Sequence, residues 1–265
     1  MAVIDLPLVA KDRDLSSFRP IKALKHFRNL VADKVDTKQV FFIIEALKGR
    51  RIFDQAKSFI TSDTARDFIQ REEALPIADM LDDHARWADC GPNSVAQHYM
   101  RFMQREGLTA NGLVDESYSW QPRENRPADQ LEWYFCRLRD THDLFHVLTT
   151  YGRDALGEAS LLGFTYEQNH NLGVKFIAYA GARQIKKTTQ TKAPLYDAIR
   201  EGRRLGKAAV KLAHMDVDTV MRSDIDEVRA AMKIGVPVVY RECLKILQSE
   251  GYAESDLGLN NVQAA

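Results

Sequence analysis

The stretch from Asp129 to Thr149, DQLEWYFCRLRDTHDLFHVLT, decides how this chain is read. Apolar residues recur in it at steps of three and four, the spacing of one face of a helix. The stripe Leu131, Phe135 and Leu138 continues onto His142 and then His146. These two histidines are i and i+4, so they share that face one turn apart. The stripe therefore turns both imidazoles inward. Asp143 lies about a quarter-turn from His142 and reaches the same point from the side.

The next helical segment, Asp154 to Gln168, sets Glu158 among Ala155, Ala159 and Leu162. A carboxylate on a core-facing stripe is costly unless it is paired or bound to a metal. Gly157 lets another backbone approach closely, and the break at Tyr151-Gly152 lets the second helix fold back. Two imidazoles and carboxylates converging in this way suit zinc or another divalent cation. The alternative is a pair of core histidines beside a buried salt bridge. The pattern departs from the common metal motifs. A zincin has glutamate where Asp143 stands, and a di-iron bundle needs histidine where Leu161 follows Glu158 at +3. An HD phosphohydrolase needs a separate upstream histidine, a part that His84 and His98 could fill only by coincidence.

Outward from this centre the periodicity stays helical and strand-like alternation is scarce. Asp36-Thr37 opens a helix with the stripe Val40, Phe41, Ile44 and Leu47. Residues 51 to 73 read as one helix, or as two broken near Ser62-Asp63. Gly91-Pro92-Asn93-Ser94 marks a break, with Ser94 or Asn93 capping the next helix. From Thr109 to Pro127 the pattern lapses, and this reads as the longest irregular stretch. Asn169-His170-Asn171 is a stop. Helices follow to about Ile185, then from Pro194 to Met215, Asp218 to Lys233 and Pro237 to Glu250. The fold expected is all-α, a multi-helix globular bundle with a metal site between two core helices. Its parts are an arm over residues 1–15, one helical domain over 16–250 and a tail over 251–265, frayed from Ser255.

Composition bounds the function. The chain has 265 residues, 45% of them apolar, enough for a sizeable core. Lysine plus arginine and aspartate plus glutamate both number 37, so nothing attracts nucleic acid. The three cysteines, Cys90, Cys136 and Cys243, are far apart and read as reduced thiols. The N-terminal residues resemble neither a secretory signal nor an organellar presequence. No run reaches the roughly 18 apolar residues of a spanning helix. The expectation is a cytoplasmic protein, peripheral on the inner face of a membrane. Phe176 and Ile177, followed by Lys186, Lys187 and Lys192, are the candidate contacts for lipid. No phosphate loop or dinucleotide fingerprint occurs.

His-Asp-x-x-His followed after eleven residues by glutamate resembles the signature of the Coq-four family of ubiquinone (coenzyme Q) biosynthesis proteins. The resemblance extends to Asp36-Thr37 with Val40-Phe41 and Glu45-Ala46-Leu47, and to Gly91-Pro92-Asn93-Ser94 with Tyr99 and Phe102-Met103. It also takes in Arg139-Asp140, Gly157, and Val228-Arg229 with Ile234. It covers roughly residues 16 to 236, although Asp216 to Met221 lack the tryptophans usual there. The resemblance implies an all-α fold and one divalent metal, zinc, held by His142, Asp143, His146 and Glu158. It implies replacement of the ring carboxylate of a prenylated hydroxybenzoate by a hydroxyl at the membrane surface, with His142 and Asp143 as catalytic candidates. The other role it implies is a lipid-binding scaffold for further ubiquinone-biosynthesis enzymes. The expected partners are thus a prenylated quinone precursor, those enzymes and a membrane surface, with a homo-oligomer as a further possibility.

Overall fold

The computed structural model describes residues 2–33, 36 and 38–252. Its helices in chain order are α1 (Pro20–Ala32), α2 (Lys38–Ala46), α3 (Arg51–Ile60), α4 (Asp63–Ala74) and α5 (Ile77–Asp82). Then come α6 (Val95–Glu106), α7 (Ala110–Trp120), α8 (Gln130–Asp140), α9 (His142–Thr149) and α10 (Ala155–Asn169). The last are α11 (Leu172–Thr189), α12 (Leu195–Ala208), α13 (Val217–Arg222), α14 (Ile225–Ala231) and α15 (Val238–Ser249). The fold is all-helical as expected, and among the described residues the only bridge of β type is an isolated pairing of Ser94 with Asp224.

The chain forms two compact units. The first comprises Met1–Leu15, Arg50–Leu148 and Lys211–Met232; the second comprises Ser16–Gly49, Thr149–Val210 and Lys233–Ala265.

In the first unit α3, α4 and α8 bury Phe53, Phe59, Phe68, Ile69, Leu131 and Tyr134 against one another. The N-terminal arm belongs to this core. Val3, Ile4, Leu8 and Val9 pack on it, and the Arg13 guanidinium bonds the carboxylates of Asp129 (2.7 Å) and Glu132 (2.8 Å). Asp129 also caps α8 by accepting from the Glu132 amide at 2.9 Å. The break at Ser62-Asp63 is real, with the Ser62 hydroxyl capping α4. Of the irregular stretch expected from Thr109 to Pro127, Ala110–Trp120 is instead α7, and the rest lies outside any α-helix, as expected. Thr109 caps α7, and the Asp82 carboxylate takes the amides of Ala110 and Asn111 at 2.7 and 3.0 Å. Asn111 and Gly112 lie in the first turn of that helix.

In the second unit α10 is buried on most sides, and α12 lies directly on it. The two backbones touch because Gly202 and Gly206 carry no Cβ, which would collide with the carbonyls of Ser160 and Phe164. A smaller core joins Ala23, Ile43, Ala46, Leu47 and Ile177 from α1, α2 and α11. Asn169-His170-Asn171 is the stop expected. His170 takes the left-handed conformation, and Asn171 caps α11. The start of α2 at Thr37 and the tail from Ser255 lie outside the described residues.

Candidate metal centre

His142 and His146 stand on α9, a helix set off from α8 by Thr141 alone. The Thr141 hydroxyl bonds back to the Arg137 carbonyl at 2.8 Å, and the Thr141 carbonyl accepts the Phe145 amide at 3.2 Å. The chain thus bends between the two helices while its backbone groups stay satisfied. Leu144, Phe145 and Leu148 are buried and fix the rotation of α9. That rotation brings His142, Asp143 and His146 together, one ligand atom from each lying within 4.8 Å of the others. The imidazoles meet edge to face with centroids 5.0 Å apart. His146 is 1% exposed, while His142 and Asp143 are half-buried. A buried donor beside two reachable ones leaves the cluster open on one side.

Neighbouring elements hold α9 in place. Residues 93–95 pair with 223–225: Val95 donates its amide to the Ser223 carbonyl (2.9 Å), and Ile225 donates to that of Asn93 (3.0 Å). This ties together the starts of α6 and α14, and each helix then reaches α9. From α6, Phe102 stacks on His146 with ring centroids 5.7 Å apart. From α14, the Arg229 guanidinium donates to the Val147 and Leu148 carbonyls, each at 3.0 Å. It thereby satisfies acceptors that the end of a helix otherwise leaves open. Arg229→Met is expected to cost about 2 kcal/mol, the loss of charge-assisted bonds to two carbonyls. Arg229→Lys should recover less than half, because an ammonium lacks the planar fork. Denaturant titration of the three proteins measures both; equal midpoints would refute the clamp.

Tyr99 and Arg139 are two further residues that the spacing of the histidines does not point to. Tyr99, one turn before Phe102, has its hydroxyl buried without a hydrogen-bond partner among the described residues. Burial pushes its phenol well above the ordinary range, and the negative charge of Asp143 adds to this. Arg139 bonds Asp140 through Nε at 2.7 Å and lies over the Tyr118 ring. Burial raises the Asp140 carboxyl, and Arg139 opposes the shift.

The other expected residues are placed as follows. Glu158 lies in the second unit, in the first turn of α10, 3.7 Å from the Arg153 guanidinium. Asp154 caps that turn through the Leu156 and Gly157 amides, and a Cβ on Gly157 would strike the Gly152 carbonyl, the close approach expected of this glycine. Ile177 is buried and Phe176 is half-buried. Ile177 belongs to the core against α1 and α2, and Phe176 packs beside it with its ring edge-on to Phe27. Lys186, Lys187 and Lys192 are exposed. An apolar helix face serves core and lipid equally well in sequence, and here the core takes it.

The family model described as coenzyme Q (ubiquinone) biosynthesis protein Coq4 matches residues 48–237, well over half of the chain. A mitochondrial ubiquinone biosynthesis protein of Penicillium rubens is 26% identical over 166 residues, 62% of this chain and 55% of that protein. One from Komagataella phaffii is 26% identical over 172 residues, 64% of this chain and 52% of that protein. The chain thus spans about half the length of the curated relatives it matches. Their names place those proteins in mitochondria and lend no support to a cytoplasmic location here. A crystal structure of a Nostoc punctiforme protein, described as a ubiquinone biosynthesis protein, shares the fold. Its TM-score is 0.52 at 18% identity, over 83% of this chain and all of that one.

Proposed function

This chain belongs to the Coq4 family of coenzyme Q (ubiquinone) biosynthesis proteins, and on that premise we propose that it is an enzyme of ubiquinone biosynthesis with one divalent metal, zinc, at His142, Asp143 and His146. The observation that carries this reading is the convergence of two imidazoles and one carboxylate within 4.8 Å on a helix whose rotation the core fixes. The donor set fits the ion. Neutral imidazole nitrogens and a carboxylate oxygen are ordinary zinc ligands, and three protein ligands leave a further position for a reacting group. A fully closed set would favour a structural role, so the three ligands that converge here favour an enzyme over a scaffold for other enzymes of the pathway only while Glu158 stays off the ion.

The substrate class is a prenylated hydroxybenzoate, and the reaction exchanges its ring carboxylate for a hydroxyl. The ring carbon is oxidised by two electrons and dioxygen is reduced by the same two: the acid, one dioxygen and one water give the phenol, carbon dioxide and hydrogen peroxide. When bound, the ion supplies Lewis-acid polarisation of a carboxylate or phenolate oxygen. The chain's own residues do the rest. His142 and His146 hold their ring nitrogens at one point, and Asp143 sets negative charge beside them. Phe102 covers one face of His146 and keeps water from it. The buried Tyr99 hydroxyl, lacking a partner among the described residues, would donate to a substrate oxygen. Glu158 is the fourth ligand that the family resemblance implies: loss of the ion in Glu158→Ala would close the set and favour the scaffold, and retention would keep a position open for the substrate.

The test is turnover of a prenylated 4-hydroxybenzoate by the purified chain, loaded with each divalent metal in turn under air in detergent. The expected result is a product that has lost the carboxylate and gained a hydroxyl, identified by mass. No product with any metal would overturn the enzyme and leave the scaffold.

A further inference from the structure

Helix α1 has two different faces. Its inner face, Ala23, Phe27 and Leu30, packs with α2 and α11, and His26 stacks on Phe42 with centroids 4.5 Å apart. The outer face should be polar on a helix whose apolar stripe is already used. Instead Ile21 is 86% exposed and Leu24 43%, with Phe18 just before the helix at 73%. Large apolar side chains this exposed, close together in the chain, call for a partner. Around them Arg19, Lys22, Lys25 and Arg28 are all exposed. From Ser16 to Ala32 there is no aspartate or glutamate, so the segment carries four positive charges in a chain whose net charge is zero.

We infer that the outer face of α1 docks this protein on an anionic lipid bilayer, with Ile21, Leu24 and Phe18 entering the interface and Lys22, Lys25 and Arg28 meeting headgroup phosphates. The charge pattern selects the occupant. Four cations in a stretch without an aspartate or glutamate of its own complement a surface of uniform negative charge. The shape agrees, because the apolar side chains project from a convex helix, as insertion between headgroups requires. The choice of a lipid surface rests on the proposed prenylated substrate, which is held in membranes. No helix among the described residues is long and apolar enough to cross one.

Flotation of the full chain with vesicles tests this. The vesicles are neutral phosphatidylcholine alone, or the same lipid with about 30 mol% anionic phosphatidylglycerol. Wild type is expected to float with the anionic vesicles and to be released by ~0.5 M salt, which screens surface charge. Lys22→Glu/Lys25→Glu/Arg28→Glu should weaken binding on the order of a hundredfold at low salt, since each cation near such a surface contributes about fivefold. Ile21→Ser, which adds no charge, should weaken it about tenfold through lost apolar insertion. Both variants alter exposed side chains, and circular dichroism checks that they fold. Lys186→Glu/Lys187→Glu/Lys192→Glu should float like wild type. Three results overturn the inference: wild type that does not float, a charge-reversed α1 that floats equally well, or a loss confined to the Lys186 variant. Flotation needs neither metal nor turnover. Failure here therefore leaves the metal reading intact, and an inactive protein that still floats would overturn only the enzyme.

Discussion

Asp143→Asn is expected to lower kcat/KM for the prenylated substrate by a hundredfold or more while the protein melts close to wild type. The change keeps the shape of a half-buried side chain and removes its charge. A carboxylate that binds a divalent ion supplies negative charge that an amide does not, so metal affinity falls as well. Excess metal should recover part of the lost rate if affinity is the main loss, and none if Asp143 also orients the substrate. Steady-state kinetics across a metal titration separates the two. Unchanged kcat/KM at equal metal content would exclude Asp143 from the centre.

Arg137→Ala is expected to give the largest loss of stability of any single change discussed. This arginine is fully buried, yet it bonds outward in three directions. Its Nε donates to the Ala213 carbonyl at 2.7 Å, a second nitrogen to the Met215 carbonyl, and the third pairs with Glu72. The guanidinium also lies over Phe68, 4.7 Å from the ring centroid. Truncation leaves the Glu72 carboxylate with 14% side-chain exposure and two carbonyls without their donor. Breaking a buried pair in this way costs about 3–5 kcal/mol, and at this size the melting temperature should fall by roughly 10 °C. Arg137→Lys should recover little, because one ammonium cannot span three acceptors. Melting curves of both proteins check this, and a drop of less than about 3 °C for the alanine variant would contradict it.

Arg137 also marks where the sequence stops being legible. The stripe of Leu131, Phe135, Leu138, His142 and His146 identified the helix and turned the histidines inward. The deepest residues of α8 are instead Leu131, Tyr134 and Arg137, with Phe135 and Leu138 half-buried. Periodicity sorts apolar from polar, so it places an arginine outside. Only its partners reverse that, and Glu72, Ala213 and Met215 lie far away in the chain. The same limit hid α7. Its cap is local, but the Asp82 carboxylate that takes its first amides comes from α5. Arg229 escaped for this reason too, since its acceptors are backbone carbonyls of α9, which no residue type announces.

The convergence of His142, Asp143 and His146 was legible because its geometry is local. Within one helix, spacing fixes which side chains meet, and His142, Asp143 and His146 need nothing else to converge. Glu158 depends on tertiary placement, and spacing brings it only to the first turn of α10. Ile177 packs in the core and Phe176 lies half-buried beside it, which composition alone does not reveal. On α1 the exposed apolar residues became visible only once Ala23 and Phe27 showed which side was already packed.

The central claim is that these three side chains form one divalent-metal site. Calorimetric titration of zinc into the chelator-treated chain tests it most directly, beside His146→Ala. The account predicts saturation at about one ion per chain, release of protons on binding, and loss of that site in the variant. Wild-type protein with no saturable site, or a variant that binds zinc as tightly as wild type, would contradict it.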